Sequence, residues 1–149
     1  MFEGWDGLAA RLAAISSLAT ELELVVATDD GVLVGLVGYA PPRARREPVF
    51  PSEWALVRLL SVTPAARGRG IGRRLCEECI TRARRDGAPA LGLHTSPAMQ
   101  VALPLYERMG FQRVQAIPDR FGVAYAIYRL TLGESSSART HSRTSDGPR

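Results

Sequence analysis

The chain contains no lysine: all 19 of its basic residues are arginine, against 15 acidic residues, so the formal net charge is +4. The absence of lysine excludes Schiff-base chemistry and the G-K-[ST] phosphate-binding loop. No apolar run approaches the roughly 18–20 residues that cross a bilayer. The N-terminus lacks the basic and apolar stretches of a secretory signal. We therefore expect a cytoplasmic protein that makes no membrane contact.

Cysteine is scarce as well, and the two residues, Cys76 and Cys79, form a C-x-x-C pair. A redox pair of this kind stands at the start of a helix that follows a strand. Here the pair lies inside a predicted helix, so we expect both side chains in the core. With only His94 and His141 as further ligands, no metal site is expected.

The excess of arginine allows two interpretations. A basic surface suits nucleic acid, and arginine also binds phosphate groups in a bidentate manner. The arginines are scattered over several predicted elements, and few aromatic residues accompany them. This favours a phosphate-rich cofactor and predicts no specific nucleic-acid partner.

Hydrophobic periodicity predicts one α/β domain over residues 1–132, followed by a polar and disordered tail, 133–149. The predicted helices are 5–19, 70–85 and 96–109, and the predicted strands are 23–27, 32–39, 54–62, 90–94, 111–114 and 123–132. Residues 118–122 are expected to form the loop between the last two strands. The proline- and arginine-rich segment 41–52 is either a solvated loop or part of a ligand entrance.

The most informative stretch joins the strand 54–62 to the helix 70–85. Thr63-Pro64 ends the strand, and Arg67-Gly68-Arg69-Gly70-Ile71-Gly72-Arg73 leads into the helix. Glycines bring main-chain N–H groups close to a ligand, and a helix start adds unpaired donors and a positive dipole end. The stretch therefore predicts an anion site, with an ordinary strand–helix turn as the alternative.

Within this stretch, Arg67, Gly70 and Gly72 fit [Q/R]-x-x-G-x-[G/A], the acyl-CoA-binding motif of the GCN5-related N-acetyltransferase (GNAT) family. A second segment, Ala102–Phe111, matches the family's A-x-x-L-Y-x-x-x-G-F. The chain resembles this family over roughly residues 23–132, with both motifs in the family's order.

The resemblance implies an α/β fold: a mixed, mostly antiparallel twisted sheet with helices on both faces. A V-shaped opening is implied between the family's fourth and fifth strands, which correspond to 54–62 and 90–94. The family's first strand has no counterpart in the sequence. The sequence could begin after that strand, the fold could tolerate the loss of this edge strand, or a homodimer partner could cover the edge.

The resemblance also implies acetyl-CoA as cofactor, with its diphosphate on the amides from Gly68 to Arg73 and its pantetheine arm on the main chain of Leu60 and Val62. The implied cofactor-binding residues are Leu60, Ser61, Val62, Arg67, Gly68, Arg69, Gly70, Ile71, Gly72 and Arg73.

For the chemistry, the resemblance implies Tyr106 as general acid, while a packed structural tyrosine is the alternative. Many relatives carry a glutamate base where this chain has Leu56, and Met99 replaces a frequent asparagine. The remaining candidate bases are Glu53 and His94, acting directly or through water.

These features together predict an N-acetyltransferase that moves an acetyl group from acetyl-CoA to an amine of a small molecule or peptide. The missing strand and the lost glutamate keep one alternative open, a non-catalytic acyl-CoA-binding or regulatory module.

Overall fold

The computed structural model describes residues 21–95, 102–120 and 123–133. The predicted helix 5–19, the start of the predicted helix 96–109 and the tail from residue 134 lie outside this range. The strands are β1 (Glu23–Asp29), β2 (Val32–Ala40), β3 (Ala55–Val62), β4 (Ala90–Thr95), β5 (Gln112–Arg120) and β6 (Val123–Thr131). The helices are a 3₁₀ turn (Pro64–Ala66), α1 (Ile71–Arg85) and α2 (Ala102–Arg108).

The six strands form one sheet in the order β1-β2-β3-β4-β6-β5. Every neighbouring pair is antiparallel except β3 and β4, which run parallel. The expected mixed and mostly antiparallel α/β sheet is therefore confirmed. None of the described helices is long and apolar enough to cross a membrane.

The two faces of the sheet carry separate apolar clusters. On one face, which we call the helix face, α1 and α2 pack on β2, β3, β4 and β6 through residues such as Val62, Leu75, Leu93 and Leu105. On the other face, the loop face, the segment 41–54 covers the strands with Phe50 and Trp54. Cys76 and Cys79 are fully buried on the helix face and are free thiols, as expected. Burial raises the pKa of the Cys76 thiol to about 12.

The parallel strands β3 and β4 stay together only at one end. Their register consists of two pairs, Ala55 with Leu91 and Leu56 with Gly92. Beyond those pairs the strands diverge toward their carboxyl ends, which leaves an edge of β3 without a neighbouring strand. This is the V-shaped opening between 54–62 and 90–94.

A β-bulge interrupts β3 directly beside the opening. Gly38 of β2 pairs with Arg58 and Leu36 pairs with Ser61, so two residues of β3 stand opposite one residue of β2. Leu59 takes up the extra length at φ 60°, a left-handed conformation that is uncommon for leucine. Because of the bulge, Leu60 and Val62 both lie on the helix face.

The prediction for the fifth strand was wrong in its length. We expected a strand over 111–114 and a loop at 118–122, whereas β5 extends to Arg120. Proline 118 suggested a break, but β5 ends the strand order and pairs only with β6. Proline is tolerated on such an edge strand because its missing N–H faces away from the ladder.

Candidate active site

The segment 68–73 carries main-chain donors that have no main-chain acceptor among the described residues, whereas the N–H of Arg67 donates to the carbonyl of Pro64 at 3.3 Å. Gly68 and Gly70 have φ angles of 80° and 79°, which favour glycine, and a Cβ built on either one meets no atom within 4 Å. Among the described residues, no main-chain carbonyl accepts a hydrogen bond from the N–H groups of residues 68–73. Six consecutive amides at and just before the start of α1 thus lack a main-chain partner, and the surroundings of Gly68 and Gly70 are open, which suits an anion-binding site.

Gly72 has a different role, because it lets α1 approach its neighbours. A Cβ at this position would lie 3.4 Å from Leu105 Cδ2 and 3.8 Å from Val62 Cγ2. Ile71 lies beside it and faces β2, where its Cγ2 would be 3.2 Å from a Cβ built on Gly35. The close packing holds the start of α1 against the edge of β3 that lines the opening.

Three arginines at positions 67–73 have partners of different kinds. Arg67 Nε donates to the carbonyl oxygen of Val62 at 3.3 Å, which connects the segment to the end of β3. Arg69 Nη2 lies 3.0 Å from Asp29 Oδ2 in the β1–β2 turn. Arg73 pairs with Glu77 one turn along the helix, at 3.2 Å. Arg69 and Arg73 are exposed, so their guanidinium groups can also reach a ligand beside the turn.

The unpaired edge of β3 presents main-chain groups to the opening. The N–H of Thr63 donates to the carbonyl of Val34 at 2.8 Å, and Ser61 pairs with Leu36. Since main-chain groups alternate in direction along an antiparallel ladder, those of Leu60 and Val62 turn toward the opening. Ser61 is buried, and its hydroxyl lies 3.5 Å from the Leu59 carbonyl, which makes it a packing residue of the loop face.

Tyr106 lies on the helix face. It belongs to the core cluster that includes Val62 and Leu93, and its ring centroid is 5.6 Å from that of Phe111. Its side chain is buried, with 6% of the residue exposed. Helix α2 therefore places Tyr106 beside the strands that border the opening.

His94 lies on the opposite side of the sheet. It is the fifth residue of β4, and its ring stacks on Phe50 at 6.1 Å and meets Tyr125 edge-on at 5.6 Å. Phe50 belongs to the loop-face cluster. The two predicted proton-transfer residues, Tyr106 and His94, thus approach the opening from opposite faces of the sheet.

Glu53 is not brought together with these residues. It is exposed and lies two residues before Ala55, at the end where β3 and β4 are paired. The opening lies at the other end of the two strands. Leu56, at the position where the family resemblance would imply a glutamate, is fully buried in the loop-face cluster.

Sequence reasoning missed two charged residues on the loop face. Arg58 of β3 pairs with Glu47 of the covering loop, with Nη2 donating to Oε1 at 2.6 Å. Burial raises the pKa of the Glu47 carboxyl, but the hydrogen bonds from Arg58 outweigh it and hold that pKa below its ordinary value. Only the richness in arginine and proline set the segment 41–52 apart, and no motif marked Glu47.

Comparison with known proteins identifies a family. The model of the acetyltransferase (GNAT) family matches residues 3–111. The N-alpha-acetyltransferase RimI of Mycobacterium tuberculosis is 37% identical over 118 residues, which are 79% of this chain and 65% of that protein. The probable N-acetyltransferase camello of Xenopus tropicalis is 31% identical over 146 residues, covering 87% of this chain and 64% of the relative. The chain thus spans somewhat less than two thirds of the length of these relatives.

Solved structures show the same architecture. A GCN5-related N-acetyltransferase from Kribbella flavida superposes with a TM-score of 0.66 at 28% identity, covering 81% of this chain and 76% of that one. The putative acetyltransferase yncA of Salmonella typhimurium, solved with its cofactor acetyl-CoA, has a TM-score of 0.63 at 24% identity, with coverage of 88% and 75%. The second likeness shows the fold alone.

Proposed function

Because the chain belongs to the acetyltransferase (GNAT) family, we propose that it transfers an acetyl group from acetyl-CoA to an amine of a peptide or small molecule. The observation that supports this most directly is the run of amides at residues 68–73 without a main-chain partner, next to the opening between β3 and β4. Any helix start leaves its first amides unpaired, but here the unpaired run begins three residues before α1, which favours an anion site over an ordinary strand–helix turn.

The residues present fit acetyl-CoA, which would supply an acetyl thioester as the group donor. The amides of residues 68–73 would bind its diphosphate, and Arg69 and Arg73 would add positive charge. The main-chain groups of Leu60 and Val62 would hold the pantetheine arm as an added strand. An N–H aimed at the thioester oxygen can contribute about 3–4 kcal/mol to stabilising the charge that develops there.

Transfer forms one C–N bond and breaks one C–S bond, so one proton must leave the amine and one must reach the sulfur. We propose that His94, on the loop face, removes the amine proton directly or through a water molecule. We propose that Tyr106, on the helix face, donates the proton that reaches the sulfur. The placement of these residues on opposite faces supports this division, since acceptor and leaving thiol would then occupy opposite sides of the opening. Glu53 is the weaker candidate base because of its place at the closed end.

The name of the relative from Mycobacterium tuberculosis, an N-alpha-acetyltransferase, makes a peptide α-amine our first proposal for the acceptor. The two free thiols fit a reducing compartment, which supports a cytoplasmic location.

The test combines calorimetric titration of acetyl-CoA with an assay of free thiol across a panel of amines. We expect acetyl-CoA binding and thiol release that depends on the amine. Tyr106→Phe should lower kcat about 100-fold, with acetyl-CoA affinity nearly unchanged, because general acids contribute on that order. Binding without thiol release would support the regulatory module instead, and absence of binding would end the proposal.

A further inference from the structure

Two side chains flank the mouth of the opening on the loop face. The last paired residues of the parallel strands are Leu56 and Gly92. Two residues further along each strand come Arg58 and His94, and both contact the ring of Phe50. Arg58 and His94 thus flank the loop-face side of the place where the two strands part, with the buried ring of Phe50 against both.

Arg58 forms an ion pair with Glu47 of the covering loop. Its guanidinium binds Glu47, whose Oε1 lies 2.6 Å from Nη2 while Oε2 is 3.4 Å from Nη1. The second distance is beyond that of a good hydrogen bond, so Oε2 keeps capacity for another donor. The Arg58 side chain is 17% exposed and that of Glu47 is 32% exposed. The accessible part of the pair is therefore its carboxylate.

The loop that carries Glu47 is held in place before any ligand binds. Arg46 donates hydrogen bonds to the carbonyl oxygens of Pro41, Ala44, Pro51 and Trp54, at 2.7–2.9 Å. A turn follows directly, in which the N–H of Phe50 donates to the carbonyl of Glu47 at 3.1 Å. Glu47 is thus a fixed negative charge, and a fixed charge binds a ligand at a smaller entropic cost than a mobile one.

A partly buried ion pair also requires an explanation of its own. Removing two charges from water costs free energy that their attraction often fails to recover, so such a pair is weak evidence of a stabilising role. Here the pair lies beside the Phe50 ring, which stacks on His94, and His94 in turn meets Tyr125. The pair offers an acceptor and a donor side by side, which matches an ammonium group next to a carbonyl.

We propose that Glu47 binds the ammonium group of the acceptor at the mouth of the opening, and that Arg58 binds the carbonyl or carboxylate next to it. The substrate class is an α-amine, from either a peptide N-terminus or a free amino acid. This proposal rests on the proposed function and deepens it.

The test compares Glu47→Gln with the matched control Glu21→Gln. Glu21 pairs with Arg45 of the same loop at 3.9 Å, and the side chains of both residues are exposed. Three amines serve as probes: a lysine-free hexapeptide with a free N-terminal alanine, free alanine, and spermidine. We expect Glu47→Gln to raise the KM of the α-amine probes about tenfold or more, as lost charge-assisted contacts do. The KM of acetyl-CoA should stay within error, as should every parameter of Glu21→Gln. The melting temperature of Glu47→Gln should fall modestly, because the largely buried Arg58 loses its ionic partner.

Glu47→Asp keeps the charge and should recover most of the acceptor affinity, which a purely structural effect would not predict. The two α-amine probes separate the peptide from the amino acid as the source of the shared group. An acceptor KM within twofold of the wild type in Glu47→Gln, or spermidine turned over better than both α-amines, would overturn the assignment of Glu47. If the wild-type protein released no thiol with any amine, the proposed function itself would fail, and this inference would fall with it.

Discussion

At the scale of single residues, a substitution at Gly70 distinguishes a cofactor site from a simple turn. We expect Gly70→Ala to weaken acetyl-CoA binding at least tenfold, because a side chain there would stand among the amides that lack a main-chain partner. Gly87→Ala is the matched control: Gly87 has a φ of 71° and equally open surroundings, but it follows the other end of α1. Both variants should lose about 1 kcal/mol of stability to backbone strain. Equal acetyl-CoA affinity in calorimetry for the two variants would contradict the account.

We expect Asp29 to compete with acetyl-CoA for Arg69, since the two side chains form an ion pair at 3.0 Å beside the amides. We expect Asp29→Asn to bind acetyl-CoA about three- to tenfold more tightly, and the gain should shrink at high salt. Asp30→Asn is the control, since it removes the same charge from the same turn. If calorimetry gave both variants the same gain, net charge alone would explain it and Arg69 would have no specific role.

Motif residues were predictable from the sequence, and residues of the covering loop were not. Tyr106 could be named because Ala102–Phe111 resembles the family motif, and the glycines because a tight turn before a helix calls for them. His94 could be named because it ends a predicted strand. Glu47 could not be named, because its position depends on how a loop without regular structure folds over β3. That folding is determined by the four carbonyl contacts of Arg46, which no periodicity reveals.

At the scale of elements, the loop 41–54 depends on Arg46. We expect Arg46→Ala to cost about 2–4 kcal/mol of unfolding free energy, because four carbonyl groups lose a donor. Amide hydrogen exchange should become faster across the loop. Arg45→Ala is the control: the Arg45 side chain is 82% exposed, so its removal should change stability by less than about 0.5 kcal/mol. Similar exchange rates in the two variants would show that the loop does not need Arg46.

The order and type of the described elements followed from hydrophobic periodicity and turn residues. The bulge at Leu59 was not predictable, because nothing in the run Leu59–Val62 marks a left-handed residue. The length of β5 was misjudged because proline 118 was taken as a break. Its tolerance depends on β5 being an edge strand, which is a property of the assembled sheet. Both features depend on how strands distant in the sequence pair with each other, and the local hydrophobic pattern does not contain that information.

At the scale of the whole molecule, an ionic network joins the start of β1 to the end of α1. Glu23 accepts hydrogen bonds from Arg82 and Arg85, each at 2.8 Å. Asp86 binds Arg85 as well and accepts a hydrogen bond from the buried Tyr39 hydroxyl at 2.7 Å. The network thus fastens the edge strand β1 to the end of α1, two strands away from β3 and the opening.

The network predicts a pH dependence of stability. Hydrogen bonds from Arg85, and then from Tyr39, hold the pKa of the Asp86 carboxyl below its usual value of about 3.9, despite the opposing effect of burial. A lowered folded-state pKa stabilises the protein above the unfolded value, and this contribution is lost as the pH falls through the folded pKa. We therefore expect the unfolding free energy from urea titration to fall below about pH 4. Asp86→Asn should reduce it at pH 7 by about 1–3 kcal/mol and flatten its acid dependence. An unchanged pH profile in the variant would exclude Asp86 as a source.

The central claim is that acetyl-CoA binds on the amides of residues 68–73 and along the free edge of β3. Residue-resolved amide hydrogen exchange, with and without saturating acetyl-CoA, tests this most directly. The account predicts slower exchange at residues 68–73 and at Leu60 and Val62, with little change in the turn at Gly87. Saturating binding that leaves both of these segments unprotected would contradict it.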